Sequence, residues 1–124
     1  MNNNRLKFLD LRLIRLPLPG LVSILHRVSG ALMFLALPFV LWMLQSSLRS
    51  VQTYADLVAM LRHPLGKLLL LLLIWALLHH LCAGVRFLAI DMGFGVKLGP
   101  ARATSKWVLL LSLALTLTAG VYLW

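Results

Sequence analysis

Three long apolar runs, separated by shorter stretches that hold most of the charge, set the pattern of this chain. The first spans about residues 21–44 and contains ALMFLALPFVLWML; the second spans about 65–90 and contains LLLLLLIWALLHHLCAGVRFLAI. The third, about 106–124, contains WVLLLSLALTLTAGVYLW. Each is near the roughly 20 residues that a helix needs to cross a bilayer's hydrocarbon. Only helices and closed barrels satisfy their own backbone in lipid, so the pattern predicts an all-α membrane protein with three transmembrane helices. One domain, 1–124, accounts for the whole length, which leaves no room for a fourth span.

The polar stretches differ in kind. Residues 1–20 are basic and intermittently apolar, and Pro17, Pro19 and Gly20 close them with helix breakers. This segment is expected to lie at the membrane interface or on a partner. It has no uninterrupted apolar core with a cleavage site, so it is not read as a signal peptide. The stretch between the first two runs includes TYADLVAMLR, a candidate short amphipathic helix in which Asp56 suits a solvated or capping role. The stretch DMGFGVKLGPARATSK, rich in glycine and proline, reads as a second loop. Pro38 inside the first span is tolerable where a neighbour or a local bend satisfies the freed carbonyl. Trp107, Tyr122 and Trp124 mark the two interfaces of the third span.

Composition sharpens this reading. Of 124 residues, 61% are hydrophobic and 12% charged, with a mean hydropathy of +0.94, more apolar surface than a soluble domain of this size can hide. A formal net charge of +9 would suggest nucleic acid in a soluble protein. Here the basic residues collect between the spans, which points to topology and anionic lipid head groups, and no nucleic-acid partner is expected. Arg5, Lys7, Arg12, Arg15, Arg27, Arg86, Lys97, Arg102 and Lys106 fall on one side, against Arg49, Arg62 and Lys67 on the other. That imbalance predicts a cytoplasmic N-terminus and an external C-terminus. The single cysteine, Cys82, rules out an intrachain disulfide and reads as a packing residue.

Polar groups inside hydrocarbon need partners, so the few within the spans are the candidate chemistry. One cluster opens the first span, in SILHRVSG. Ser23, Arg27 and Gly30 share a helical face, with His26 about 100° away. Snorkelling to head groups explains Arg27 as well as does a His-Arg pair aimed at an anionic or carbonyl ligand. The second cluster is HHLCAGVRFLAID. His80, Gly84, Phe87 and Asp91 form one stripe, and His79, Ala83 and Arg86 form another beside it. His80 lies eleven residues before Asp91, roughly 16 Å deep at 1.5 Å per residue. Gly84 one turn below it and Ala76 one turn above leave room for a flat macrocycle. A hydrogen-bonded packing histidine and a haem ligand are therefore both open readings of His80. For haem, His80 could bind iron while His26 and Arg27 meet the propionates. His79 points away, so a second axial ligand would come from another subunit, or the iron would be five-coordinate. There is no phosphate-binding glycine loop, no zinc-ligand pattern and no carboxylate pair at acid/base spacing.

LDLRLIRLPLPGLVSILHRVSG, followed some fifty residues on by HHLCAGVRFLAIDMG, resembles the cytochrome b subunits of succinate dehydrogenase, the larger of the two membrane anchors. The resemblance covers nearly the whole chain and rests on S-I-L-H-R-x-S/T-G with H-x3-G-[IV]-R-x4-D-x-G. It implies half of a heterodimeric anchor bundle in a bacterial inner membrane, with no catalysis by the chain alone. His80 would be an axial ligand of haem b, with the other supplied by the small anchor subunit. Ser23 and Arg27 would line a ubiquinone site, and His26 and Arg27 would lie near the haem propionates. Electrons from succinate would arrive through a flavoprotein subunit and an iron-sulfur subunit. Phe87 and His79 depart from some relatives, which carry histidine and an aromatic residue there, so any second role for those positions does not transfer. The competing expectation is a non-redox membrane anchor or assembly subunit without haem.

Overall fold

The computed structural model describes residues 16–124. They form four helices: α1 (Leu18–Arg49), α2 (Val51–Arg62), α3 (Pro64–Asp91) and α4 (Leu98–Leu123). No strand occurs among the described residues. Helices α1, α3 and α4 are long and apolar enough to cross a membrane. At 1.5 Å per residue they are about 48, 42 and 39 Å long, longer than the hydrocarbon, so their ends reach into the interfaces or the helices tilt. The chain is a multi-pass membrane protein.

Each helix starts where local chemistry allows it. Pro17 caps α1 and Pro19 sits in its first turn, where N–H groups lack intrahelical acceptors and a proline removes nothing. The break expected through Gly20 therefore falls earlier, at Pro17. The rest of the expected interfacial segment, residues 1–15, lies outside the described residues. Helix α1 continues through Pro38. The short amphipathic helix is present as α2, started by a reciprocal cap: Thr53 N–H donates to Ser50 Oγ, and Ser50 N–H to Thr53 Oγ1, both at 3.1 Å. On its exposed surface Gln52 Nε2 donates to Asp56 Oδ1 at 3.0 Å.

A tight joint connects α2 to α3. His63 Nδ1 accepts from Leu65 N–H at 3.3 Å, and a Cβ on Gly66 would collide with the Met60 carbonyl oxygen. Helix α3 ends in a Schellman cap: Gly93 N–H donates to Ile90 O at 2.8 Å and Phe94 N–H to Ala89 O at 2.9 Å, with Gly93 at φ +87°. The second loop is only residues 92–97, shorter than the sequence pattern predicts. Gly99 and Pro100 fall inside the first turn of α4, where their punctuation does not interrupt helical bonding.

Helix α3 is central, packed by α1 on one side and α4 on the other, and α1 also touches α4. Val22, Ala83 and Val108, one from each of the three spans, form the buried core, flanked by Cys82, Phe87 and Leu109. The outward surface carries Leu68, Leu72, Leu77, Leu81, Val85 and Leu88 of α3, as expected of a lipid-facing helix.

Candidate functional site

The two stripes of α3 face different neighbours. His80, Gly84 and Phe87 meet α1; His79 and Arg86 meet α4, Ala83 packs in a core with both Val22 of α1 and Val108 of α4, and Ala76 is buried one turn from His79. The spacing placed them on adjacent faces, and packing gives each face its own partner.

On the α1 side the His80 ring reaches into the turn from His26 to Gly30. Its Nδ1 lies 3.0 Å from the His26 carbonyl oxygen and 3.4 Å from Ser29 Oγ. Ser29, fully buried, donates its own hydroxyl to that same carbonyl at 2.9 Å. A carbonyl only accepts, so Nδ1 carries the proton and the Nε2 lone pair is left over. No hydrogen bond to Nε2 is formed among the described residues. The ring is stacked on the His26 imidazole, with centroids 4.0 Å apart and planes 15° apart. His26 in turn meets Phe87 edge-on at 5.2 Å, and its Nε2 would lie 3.6 Å from a Cβ on Gly84.

Gly30 and Gly84 are thus used differently. A Cβ on Gly30 would stand 2.9 Å from His80 Cε1, inside any real contact distance, so this glycine admits the ring. A Cβ at Gly84 would be in ordinary contact with His26, so its surface is covered by an imidazole.

On the α4 side His79 is 0% exposed. Its Nδ1 lies 3.4 Å from Ser112 Oγ, its ring stacks on Trp75 with centroids 5.2 Å apart, and its Nε2 is buried with no hydrogen-bond partner among the described residues. Arg86, 7% exposed, donates Nε to Thr104 Oγ1 at 3.0 Å and Nη2 to the Ala101 carbonyl at 3.2 Å. Its guanidinium also lies 5.4 Å from the centre of the Phe87 ring.

Of the residues singled out from the sequence, His26 and His80 are brought together. Ser23 is half-buried and Arg27 exposed, one turn apart on α1, and neither side chain makes a hydrogen bond among the described residues. Sequence reasoning missed Ser29. The signal was present, because Ser29 follows His26 by three residues and is the serine of the S-I-L-H-R-x-S/T-G pattern, but only the fold shows whose carbonyl it shares.

The donor set decides what such a site could hold. Among the described residues no three His, Cys, Asp or Glu side chains gather, so a bare metal ion would find too few ligands. A single imidazole with a free Nε2, its Nδ1–H fixed on a backbone carbonyl, suits iron that brings four nitrogens of its own in a macrocycle. The residues present fit that group.

Residues 1–119 match the family of succinate dehydrogenase/fumarate reductase transmembrane subunits. The chain is similar to the succinate dehydrogenase cytochrome b556 subunit of Coxiella burnetii, 34% identical over the full length of both chains. It is also similar to the subunits of the same name from Paracoccus denitrificans and Rickettsia felis. The first is 32% identical over 77% of this chain and 74% of the relative. The second is 29% identical over 90% and 86%.

Proposed function

The chain belongs to the succinate dehydrogenase/fumarate reductase transmembrane subunits, and from that premise we propose that it holds haem b through His80 and contributes Ser23 and Arg27 to a ubiquinone-reducing site. The observation that carries the reading is the Nδ1–H bond from His80 to the His26 carbonyl, which leaves the Nε2 lone pair for iron. The relatives' name, cytochrome b556, supports a haem in this family's anchors. As a succinate dehydrogenase subunit the protein has partner subunits. In this reading they would be a small anchor that supplies a second ligand to the iron, an iron-sulfur subunit that delivers electrons and a flavoprotein that oxidises succinate.

The haem, when bound, accepts and releases one electron. His80 would bind the iron, and His26, stacked on the His80 ring, and Arg27 would be the donors for the propionates. Ser23 and Arg27 do separate work on the quinone. A quinone oxygen gains negative charge as it is reduced, and a guanidinium and a hydroxyl aimed at that oxygen stabilise the charge more strongly where water is scarce. Arg27 stands in the first third of α1, toward the end of the span where protons can be supplied. In this reading that end of the span, and the N-terminus, lie on the cytoplasmic side of a bacterial inner membrane, an orientation that the charge imbalance across the spans supports.

A reduced-minus-oxidised absorption spectrum of the purified complex, taken with its subunit composition, tests the reading. The wild type and His79→Ala show a b-type spectrum, and His80→Ala loses it. Unchanged haem in His80→Ala overturns the ligand assignment. Arg27→Ala lowers quinone reduction about 100-fold, the scale seen when a charge-stabilising donor is removed. Succinate oxidation with a soluble artificial acceptor persists; equal loss of both activities marks failed assembly.

One observation favours the haem-free anchor. The His26 imidazole already covers Gly84 and stacks on His80, which makes a closed packing arrangement without a cofactor. An assembled complex with no b-type spectrum would decide for that alternative.

A further inference from the structure

We infer that Ser29 is a positioning residue for His80: its hydroxyl, the His26 carbonyl and the bare surface of Gly30 together hold the ring so that one nitrogen alone is presented. The inference rests on the reading of His80 as the iron ligand and goes beyond it, because it assigns a role to a side chain outside the residues read as haem or quinone contacts.

Three atoms form the device. Ser29 Oγ donates to His26 O at 2.9 Å, His80 Nδ1 lies 3.0 Å from the same oxygen, and Oγ to Nδ1 is 3.4 Å. The only hydroxyl proton of Ser29 is committed to the carbonyl, so the side of Oγ turned to His80 offers lone pairs. Every polar contact of Nδ1 on this edge is therefore an acceptor, and the proton stays there. The Nδ1–H is shared between a shorter and a longer acceptor, which resists rotation of the ring in either direction. Gly30 removes the Cβ that would push the ring off this edge, 2.9 Å from Cε1 and 3.3 Å from Nδ1. A metal-bound imidazole whose far nitrogen donates to a fixed acceptor is held in orientation and is a more basic ligand.

A serine in a transmembrane helix often bonds the carbonyl three or four residues back for its own satisfaction. This chain supplies the control. Ser112 on α4 donates to Leu109 O at 3.2 Å and lies 3.4 Å from His79 Nδ1, the same local arrangement. Besides a shorter hydroxyl bond at Ser29, the two differ in what the carbonyl receives: among the described residues the one bonded by Ser29 also takes a histidine N–H from another helix, and the one bonded by Ser112 does not.

The experiment compares Ser29→Ala, Ser112→Ala and His80→Ala in the purified complex. The readouts are the electron paramagnetic resonance g-values of the oxidised haem, its midpoint potential and the rate of haem loss. Ser29→Ala is expected to change the g-values and the potential and to weaken haem retention about tenfold, the lower end of what removing an outer-shell partner does. Ser112→Ala leaves all three at wild-type values. Wild-type readouts in Ser29→Ala, in a series where His80→Ala has lost its haem, overturn the role of Ser29. A change of equal size in Ser112→Ala overturns it too, since the effect would then belong to any buried serine. Retention of haem in His80→Ala strikes the underlying ligand assignment instead, so the two failures are told apart.

Discussion

His79 and His80 are neighbours in the chain and each has a back-bonded serine 3.4 Å from its Nδ1, yet they occupy different chemical worlds. His80 is half-buried, hangs on a carbonyl of α1 and leaves Nε2 without a hydrogen-bond partner among the described residues. His79 is sealed between helices, stacked on Trp75, with Nε2 enclosed and without a hydrogen-bond partner among the described residues. The 100° between successive residues of a helix is enough to separate a face that can bind from a face that can only pack. What distinguishes the faces is the opposite helix: α1 brings a carbonyl and a glycine to His80, and α4 brings a hydroxyl and close-packed side chains to His79.

The largest expected effect comes from closing the binding face. Gly30→Val places branched carbons where a Cβ alone already stands 2.9 Å from the His80 ring, so the ring must leave the His26 carbonyl. Haem content of the purified complex should fall nearly as far as in His80→Ala, while the subunits still co-purify because the α3–α4 face is untouched. Full haem with wild-type g-values in Gly30→Val would mean that the α1 turn does not set the His80 ring, and the contrast between the faces would fail.

An intermediate effect is expected on the packing face. Arg86→Met removes two hydrogen bonds to α4 together with the guanidinium's place over the Phe87 ring, and keeps an apolar stem. Hydrogen bonds from a charged group contribute more than neutral ones, so the loss is about 2 kcal/mol, read as a lower thermal midpoint of the detergent-solubilised complex. The haem spectrum should not move. A spectral change as large as the thermal one would show that the two faces are coupled through α3.

Much of this division was legible before the fold. The spans follow from hydropathy, and the stripes His80–Gly84–Phe87 and His79–Ala83–Arg86 follow from the helical period, because both depend only on local geometry. Which stripe meets α1 and which meets α4 depends on how three similar apolar helices pack, and their leucine-rich surfaces do not encode it. Ser29 stood in a recognisable pattern, but its role was illegible for the same reason, since it lies in a carbonyl that a distant histidine also uses. The loop before α4 misled in another way: Gly99 and Pro100 punctuate most helices, but in a first turn they are compatible with one.

The smallest expected effect is the sharpest test of the packing face. His79→Leu replaces a fully buried imidazole, whose Nε2 is unsatisfied, with a side chain of similar bulk and no polar atom. The Ser112 hydroxyl keeps its bond to Leu109 O, so no new orphan is created. Removing a buried unsatisfied group recovers part of its desolvation penalty, and losing the 3.4 Å contact and the stack on Trp75 offsets that gain. The balance should lie within about 1 kcal/mol of zero, with haem and quinone reduction at wild-type levels. A loss of about 3 kcal/mol in the thermal stability of the complex would show instead that Nε2 is engaged once the partner subunits are in place. His79 would then contribute to the assembled anchor through a hydrogen bond of its own, and the packing face would have to be redrawn as a second polar contact of the bundle.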